Sequence, residues 1–256
     1  MLQKIFRHGA WLVLLGMMSA PLQATGTTLI AVASNFHLPA KALAREYQKS
    51  TGHEVRISSG STGKLYAQII NGAPFAILLA ANSREPSRLE QEGMVVTGSR
   101  FTYALGKLVL WSVNADLLRH EPQRVLQDGQ IKSIALANPQ TAPYGEAGIQ
   151  VLEVLTTGEP STFRTIRAEN VSQAFQYAAT GVTQAGFIAH SQLLTSPEPD
   201  KGSYWLVPQQ LYAPIQQQAV LLKSAANNAV ARDFMRFLQS SKGKEMIASF
   251  GYGVAE

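Results

Sequence analysis

The stretch that most constrains this chain is residues 57–69, Ile-Ser-Ser-Gly-Ser-Thr-Gly-Lys-Leu-Tyr-Ala-Gln-Ile. It starts as the end of a strand, with Val55 and Ile57 spaced by a polar residue, and crosses a run of hydroxyls and glycines. It then enters a helical pattern with Leu65, Ile69 and Ile70 on one face. The first N–H groups of such a helix have no intrahelical partner, the helix dipole is positive there, and the hydroxyls of Ser61 and Thr62 add donors. That combination suits an anion. Taken alone, the commoner explanation is an ordinary Ser/Thr cap with a glycine turn.

Recurrence weighs against the commoner explanation. Residues 27–33 form a continuous apolar strand, followed by Ser34-Asn35 and then a helix marked by Leu38, Ala42, Leu43 and Tyr47. Residues 75–80 form another strand, with a helix over 85–91. Three strand–helix units in succession predict an α/β layered domain. A strand over 105–113 leads out of it, and a second series begins with strands at 133–137, 164–167 and 185–189, separated by helices starting near Tyr144-Gly145 and Asn170-Val171-Ser172. Strands at 204–207 and 216–222 follow, then two helices over 225–239 and 241–250 that are expected to pack back on the first domain and make it discontinuous. Four strand–helix junctions therefore carry donors: Ser34-Asn35, Ser61-Thr62, Tyr144-Gly145 and Asn170-Val171-Ser172. Ligands of open α/β sheets sit beyond the carboxyl ends of the strands, so two lobes facing one another would bring these donors onto one small anion.

Composition narrows the classes. Residues 1–24 carry a basic start (Lys4, Arg7, His8), an apolar stretch over 10–18 and small residues up to Ala24, as a cleavable secretory leader does, with a cut after Ala24 expected. Loss of Lys4 and Arg7 with it lowers the formal net charge of +5 by two. The remaining basic residues are dispersed, with no run and no basic-aromatic stripe, which argues against nucleic acid. There is no cysteine, so disulfides, thiol nucleophiles, thiolate metal sites and lipid-modified cysteine are excluded. An exported protein with no retained membrane span is expected.

The motifs Ala33-Ser34-Asn35, Ser58-Ser59-Gly60-Ser61-Thr62-Gly63-Lys64-Leu65 and Asn71-Gly72-Ala73-Pro74 resemble the N-terminal signature of periplasmic molybdate-binding proteins of ABC importers. The resemblance continues through Asn138-Pro139, Pro143-Tyr144-Gly145, Glu169-Asn170-Val171 and Gln184-Ala185-Gly186-Phe187-Ile188 to Phe250-Gly251-Tyr252. It implies a type II periplasmic binding protein fold: two α/β lobes with mixed five-stranded sheets joined by two crossover strands. The expected division is 25–106 plus 224–256 for lobe 1 and 107–223 for lobe 2. It further implies molybdate or tungstate as ligand with no cofactor and no direct cation ligands. The implied partner is an ABC transporter permease in the inner membrane, and the protein is expected to be a periplasmic monomer. The ligand-binding positions fall on Asn35 with adjacent Ser34, Thr62 with adjacent Ser61, Tyr144 and Val171. Asn35 and Thr62 would supply side-chain and backbone donors, Tyr144 and Val171 backbone N–H groups. The tyrosine hydroxyl that some members add is replaced here by Ala189, followed by His190.

Other readings are weaker. The segment Gly60-Ser61-Thr62-Gly63-Lys64 lacks the glycine spacing of a phosphate-binding P-loop, and no Gly-x-Ser-x-Gly nucleophile turn occurs. An exported hydrolase using Ser61 or Thr62 would lack an evident general base. The histidines His37, His53, His120 and His190 show no metal-ligand spacing. Asn170-Val171-Ser172 is read as a chance glycosylation sequon. Glu146 and Glu169 matter more: turned inward, either could accept a proton from hydrogen phosphate and favour phosphate as ligand, whereas turned outward they are helix N-terminal carboxylates.

Overall fold

The structure is a computed structural model and describes residues 26–156, 163–196 and 202–254. The expected leader lies outside the described residues, as does most of the loop over 196–202. No helix among the described residues is long and apolar enough to cross a membrane.

The first sheet forms around β1 (Thr27–Ala33), whose last four residues are all buried, as a strand covered on both faces requires. Parallel to it lie β2 (Glu54–Gly60) and β3 (Ile77–Leu79). Their crossovers are α1 (His37–Thr51), entered through a short 3₁₀ turn over Ser34–Phe36, and α2 (Thr62–Ile70). After α3 (Arg84–Gln91) comes β4 (Phe101–Gly106). The chain then crosses to the second sheet at Lys107 and continues as β5 (Leu108–Ser112). The strand expected over 105–113 is thus two strands in different sheets, parted at one residue.

The second sheet adds α4 (Pro122–Gln127), β6 (Ser133–Ala137), α5 (Pro143–Leu155), β7 (Arg164–Ala168), α6 (Val171–Ala179), β8 (Ala185–Ala189), α7 (His190–Leu194) and β9 (Ser203–Leu206). Its order is β7-β6-β8-β5-β9, with β6 parallel to both neighbours and β5 antiparallel to both of its own. The chain returns and lays β10 (Ile215–Leu221) between β3 and β4, antiparallel to each, so the first sheet reads β2-β1-β3-β10-β4. Both sheets are mixed and five-stranded, as the type II resemblance implies. One boundary moves. The division at 223/224 put residues 215–221 in the second lobe, but these residues pair within the first sheet, so the return crossing falls between β9 and β10. An apolar strand buried on both faces can fill a central slot in either sheet, and its sequence does not say which.

The last helices, α8 (Ala229–Gln239) and α9 (Ser241–Ser249), do pack on the first lobe. Val230, Phe234, Leu238 and Ile247 share one core with Ile30, Val32, Leu43 and Tyr47. α8 starts later than the pattern predicts because Asn228 caps it, accepting the Ala231 N–H at 3.0 Å.

Candidate functional site

All four donor junctions lie at the carboxyl ends of strands: Ser34-Asn35 after β1, Ser61-Thr62 after β2, Tyr144 beyond β6 and Val171 beyond β7. The fold brings them together. Ser34, Asn35, Ser61, Thr62, Tyr144 and Val171 line a single cavity between the lobes, with Ala33, Gly60, Ala81, Ala142 and Pro143 filling the gaps. The cavity volume is about 10 Å³, far below the roughly 300–1,000 Å³ of pockets for drug-sized organic ligands, so only a small occupant fits.

Backbone accounting shows what the cavity offers. In α5, Pro143 has no N–H, and Gly145 and Glu146 both donate to the Ala142 carbonyl at 2.9 and 3.1 Å. The Tyr144 N–H remains. In α6, Asn170 Oδ1 accepts from Ser172 and Gln173 at 3.0 and 3.1 Å, and Ala174 donates back to the Asn170 carbonyl. Here the Val171 N–H remains. In α2, Gly63 donates across the lobes to the Thr141 carbonyl at 2.9 Å and Leu65 to the Ser61 carbonyl, which leaves the Thr62 N–H. Each helix start keeps an uncommitted donor where the dipole is positive.

Side chains add to this. Thr62 Oγ1 accepts the Ala81 N–H at 3.0 Å, so its own proton is free to point away from that bond. Ser61 is 3 % exposed, and its Oγ is buried without a hydrogen-bond partner among the described residues. A buried hydroxyl left unpaired costs about 1–3 kcal/mol, which a bound acceptor would recover. No residue lining the cavity carries a formal charge. Thr62→Val is expected to lower stability by roughly 1–3 kcal/mol in thermal melts, because it strands the Ala81 N–H. The same substitution should weaken anion binding about tenfold or more by calorimetry, through loss of one donor.

One implied role is corrected. The Asn35 carboxamide does not serve the cavity: Nδ2 donates to Gln217 Oε1 at 2.9 Å and to the Tyr252 hydroxyl at 3.0 Å. Both of its hydrogens are used, so Asn35 can offer its N–H alone. The hub behind it was missed by sequence reasoning. Gln217 Oε1 also accepts from Tyr103 at 3.1 Å, and Gln217 Nε2 donates to the Tyr144 hydroxyl at 3.4 Å. A bulge between Gln217 and Gln218 marks where β10 turns this amide inward. Burial pushes the Tyr252 hydroxyl up to about 12 and those of Tyr103 and Tyr144 well above their ordinary value, so all three stay protonated. A run of three glutamines inside an apolar strand was the available signal for Gln217. Ala189 and His190 do not line the cavity.

The two carboxylates turn outward. Glu169 pairs with Lys64 at 2.9 Å and Glu146 with Arg84 at 3.2 Å, each pair bridging the lobes with about half of every side chain exposed. Exposed pairs of this kind contribute about 0–1 kcal/mol each. Neither reaches the cavity, which therefore presents donors and no carboxylate acceptor. No group of three or more His, Asp or Glu suited to a metal occurs among the described residues.

Two α/β lobes closed over an uncharged, donor-lined cavity define a solute-capturing protein. Residues 28–253 match the model of the bacterial extracellular solute-binding protein family, and the chain belongs to that family. Among its relatives, the molybdate-binding protein ModA of Azotobacter vinelandii is 42 % identical over 239 residues, covering 93 % of this chain and 94 % of that one. ModA of Rhodobacter capsulatus is 41 % identical over 246 residues, 96 % of each chain. The solved periplasmic molybdate-binding protein of Azotobacter vinelandii matches with a TM-score of 0.82 at 40 % identity, covering 90 % of this chain and 100 % of that one. The sulfate-binding protein SubI of Mycobacterium tuberculosis shares the fold at a TM-score of 0.72 and 14 % identity, covering 90 % of this chain and 88 % of that one.

Proposed function

We propose that the protein captures molybdate, or tungstate, in the periplasm and delivers it to the permease of an ABC importer, acting as a monomer with no cofactor and making or breaking no bond. The observation that carries this reading is an uncharged cavity rich in N–H and hydroxyl donors, with no carboxylate in its lining. A fully deprotonated tetrahedral oxyanion can only accept hydrogen bonds, and the cavity offers hydroxyl and N–H donors from both lobes with no carboxylate to receive a proton. Each such bond to a charged acceptor contributes roughly 1.5–3 kcal/mol. Ser34, Asn35, Ser61, Thr62, Tyr144 and Val171 are the proposed ligand-binding residues. The names of the 41–42 % identical relatives support molybdate in particular.

Rival readings fare worse. Hydrogen phosphate would find no carboxylate for its proton, and a hydroxyl that accepted it would bring one lone pair rather than its own donor to that contact. Sulfate presents the same acceptors as molybdate, and discrimination against it would rest on cavity size. A hydrolase reading needs a base on Ser61, and its Oγ has no hydrogen-bond partner among the described residues. Titration calorimetry with molybdate, tungstate, sulfate and phosphate is the test. Tight binding is expected for the first two and weak or no binding for phosphate. Absence of tight molybdate and tungstate binding would end the proposal.

A further inference from the structure

Ser172 stands one residue beyond Val171, on the first turn of α6 in the second lobe, yet its hydroxyl does not line the cavity. Ser172 Oγ donates across the lobes to the Ser34 carbonyl at 3.1 Å. The same oxygen accepts from Gln192 Nε2 at 3.3 Å, and Gln192 is itself held by Oε1, which accepts the Ala189 N–H at 3.0 Å. With Gln192 donating to Oγ, the single hydroxyl proton is directed to Ser34. The Ser34 carbonyl and the Asn35 N–H belong to one peptide unit, conjugated through the C–N bond. A hydrogen bond accepted at the oxygen strengthens the N–H at the other end as a donor. That N–H is what Asn35 has left for the cavity, because its carboxamide is committed to Gln217 and Tyr252. The next carbonyl is held as well: Asn35 O accepts from the Tyr252 hydroxyl at 2.9 Å and from Ser191 Oγ at 3.4 Å.

We propose that Ser172 is a positioning residue for anion capture: its hydroxyl latches the second lobe to the Ser34 carbonyl and, through that peptide, orients and polarises the Asn35 N–H. This rests on the oxyanion-binding reading. The latch exists only with the lobes together, so it acts on release rather than on encounter. A purely structural Ser172 would alter melting without dividing the two rates.

The test loads wild type, Ser172→Ala, Ser172→Thr and Gln192→Leu with radiolabelled molybdate and chases with the unlabelled ion. Rapid filtration reads release, and thermal melts accompany it. Ser172→Ala should release roughly five- to tenfold faster with unchanged association, the loss of one hydrogen bond. Ser172→Thr should restore the wild-type rate. Gln192→Leu keeps the serine but frees its proton to rotate, and should speed release by a smaller factor. Release from Ser172→Ala at the wild-type rate, or an effect on association alone, overturns the proposal. Wild type that retains no molybdate overturns the binding reading itself, before any variant is compared.

Discussion

Gly145→Ala is expected to weaken anion binding and to melt below wild type. Gly145 is the third residue of α5, where the helix leans on the end of β6 with backbone against backbone. A Cβ there would overlap the Ala137 carbonyl oxygen and lie 2.7 Å from the Ala137 carbonyl carbon and 3.1 Å from that of Asn138. No flexible side chain is available to yield, so the helix must lift. Tyr144 lifts with it, carrying its N–H off the cavity and its ring, 1 % exposed, away from Gln217. Loss of the Tyr144 N–H, at about 1.5–3 kcal/mol for a bond to a charged acceptor, places the expected weakening at about 10- to 100-fold. Overpacking adds roughly 1–3 kcal/mol of destabilisation. The sign makes the measurement decisive. Were Gly145 an ordinary helical position, alanine would stabilise by about 1 kcal/mol. A variant that melts higher and binds like wild type would therefore refute this account of the α5 start.

Ser61→Asp should eliminate molybdate binding while leaving the melting temperature at or above that of wild type. Ser61 is the N-cap of α2, in extended conformation, and although its own hydroxyl makes no capping bond, an aspartate there can accept from the first N–H groups of the helix with a charge that suits the dipole. Those bonds offset the cost of burying a charge at a position only 3 % exposed. The carboxylate would stand in the cavity itself and occupy the donors meant for the ligand. A dianion a few ångströms away would meet repulsion of about 4 kcal/mol per charge pair at an effective dielectric of 20. Affinity should drop by about a thousandfold or more. Calorimetry and thermal melts separate the two effects, and retained binding would place the anion somewhere other than this cavity.

Much of this arrangement could be read from the residues because it is local. The apolar strand over 185–189 and the helix begun at Thr62 follow from periodicity and capping within a dozen residues. The four donor junctions were visible for the same reason. What escaped is long-range. Asn35 reaches Gln217 and Tyr252 across 182 and 217 residues, and nothing near Asn35 reveals that its carboxamide will be spent there. The short helices α4 and α7 have too few turns to show a periodicity. The outward turn of Glu146 depends on Arg84, 62 residues away, and could be weighed but not decided from sequence. The membership of β10 was hidden because burial on both faces reads alike in either sheet.

That membership has a consequence for the order in which the chain assembles. The second sheet is made wholly of residues 108–206, an uninterrupted insert able to collapse on itself as soon as it is available. Its host cannot. The central slot between β3 and β4 stays open until residues 215–221 arrive, and the Thr28 hydroxyl waits 200 residues for Asn228. Contacts so distant along the chain form slowly. The half that carries Ser61 and Thr62 is therefore expected to set last, with the grip on an ion completed only when residues far apart in the chain meet.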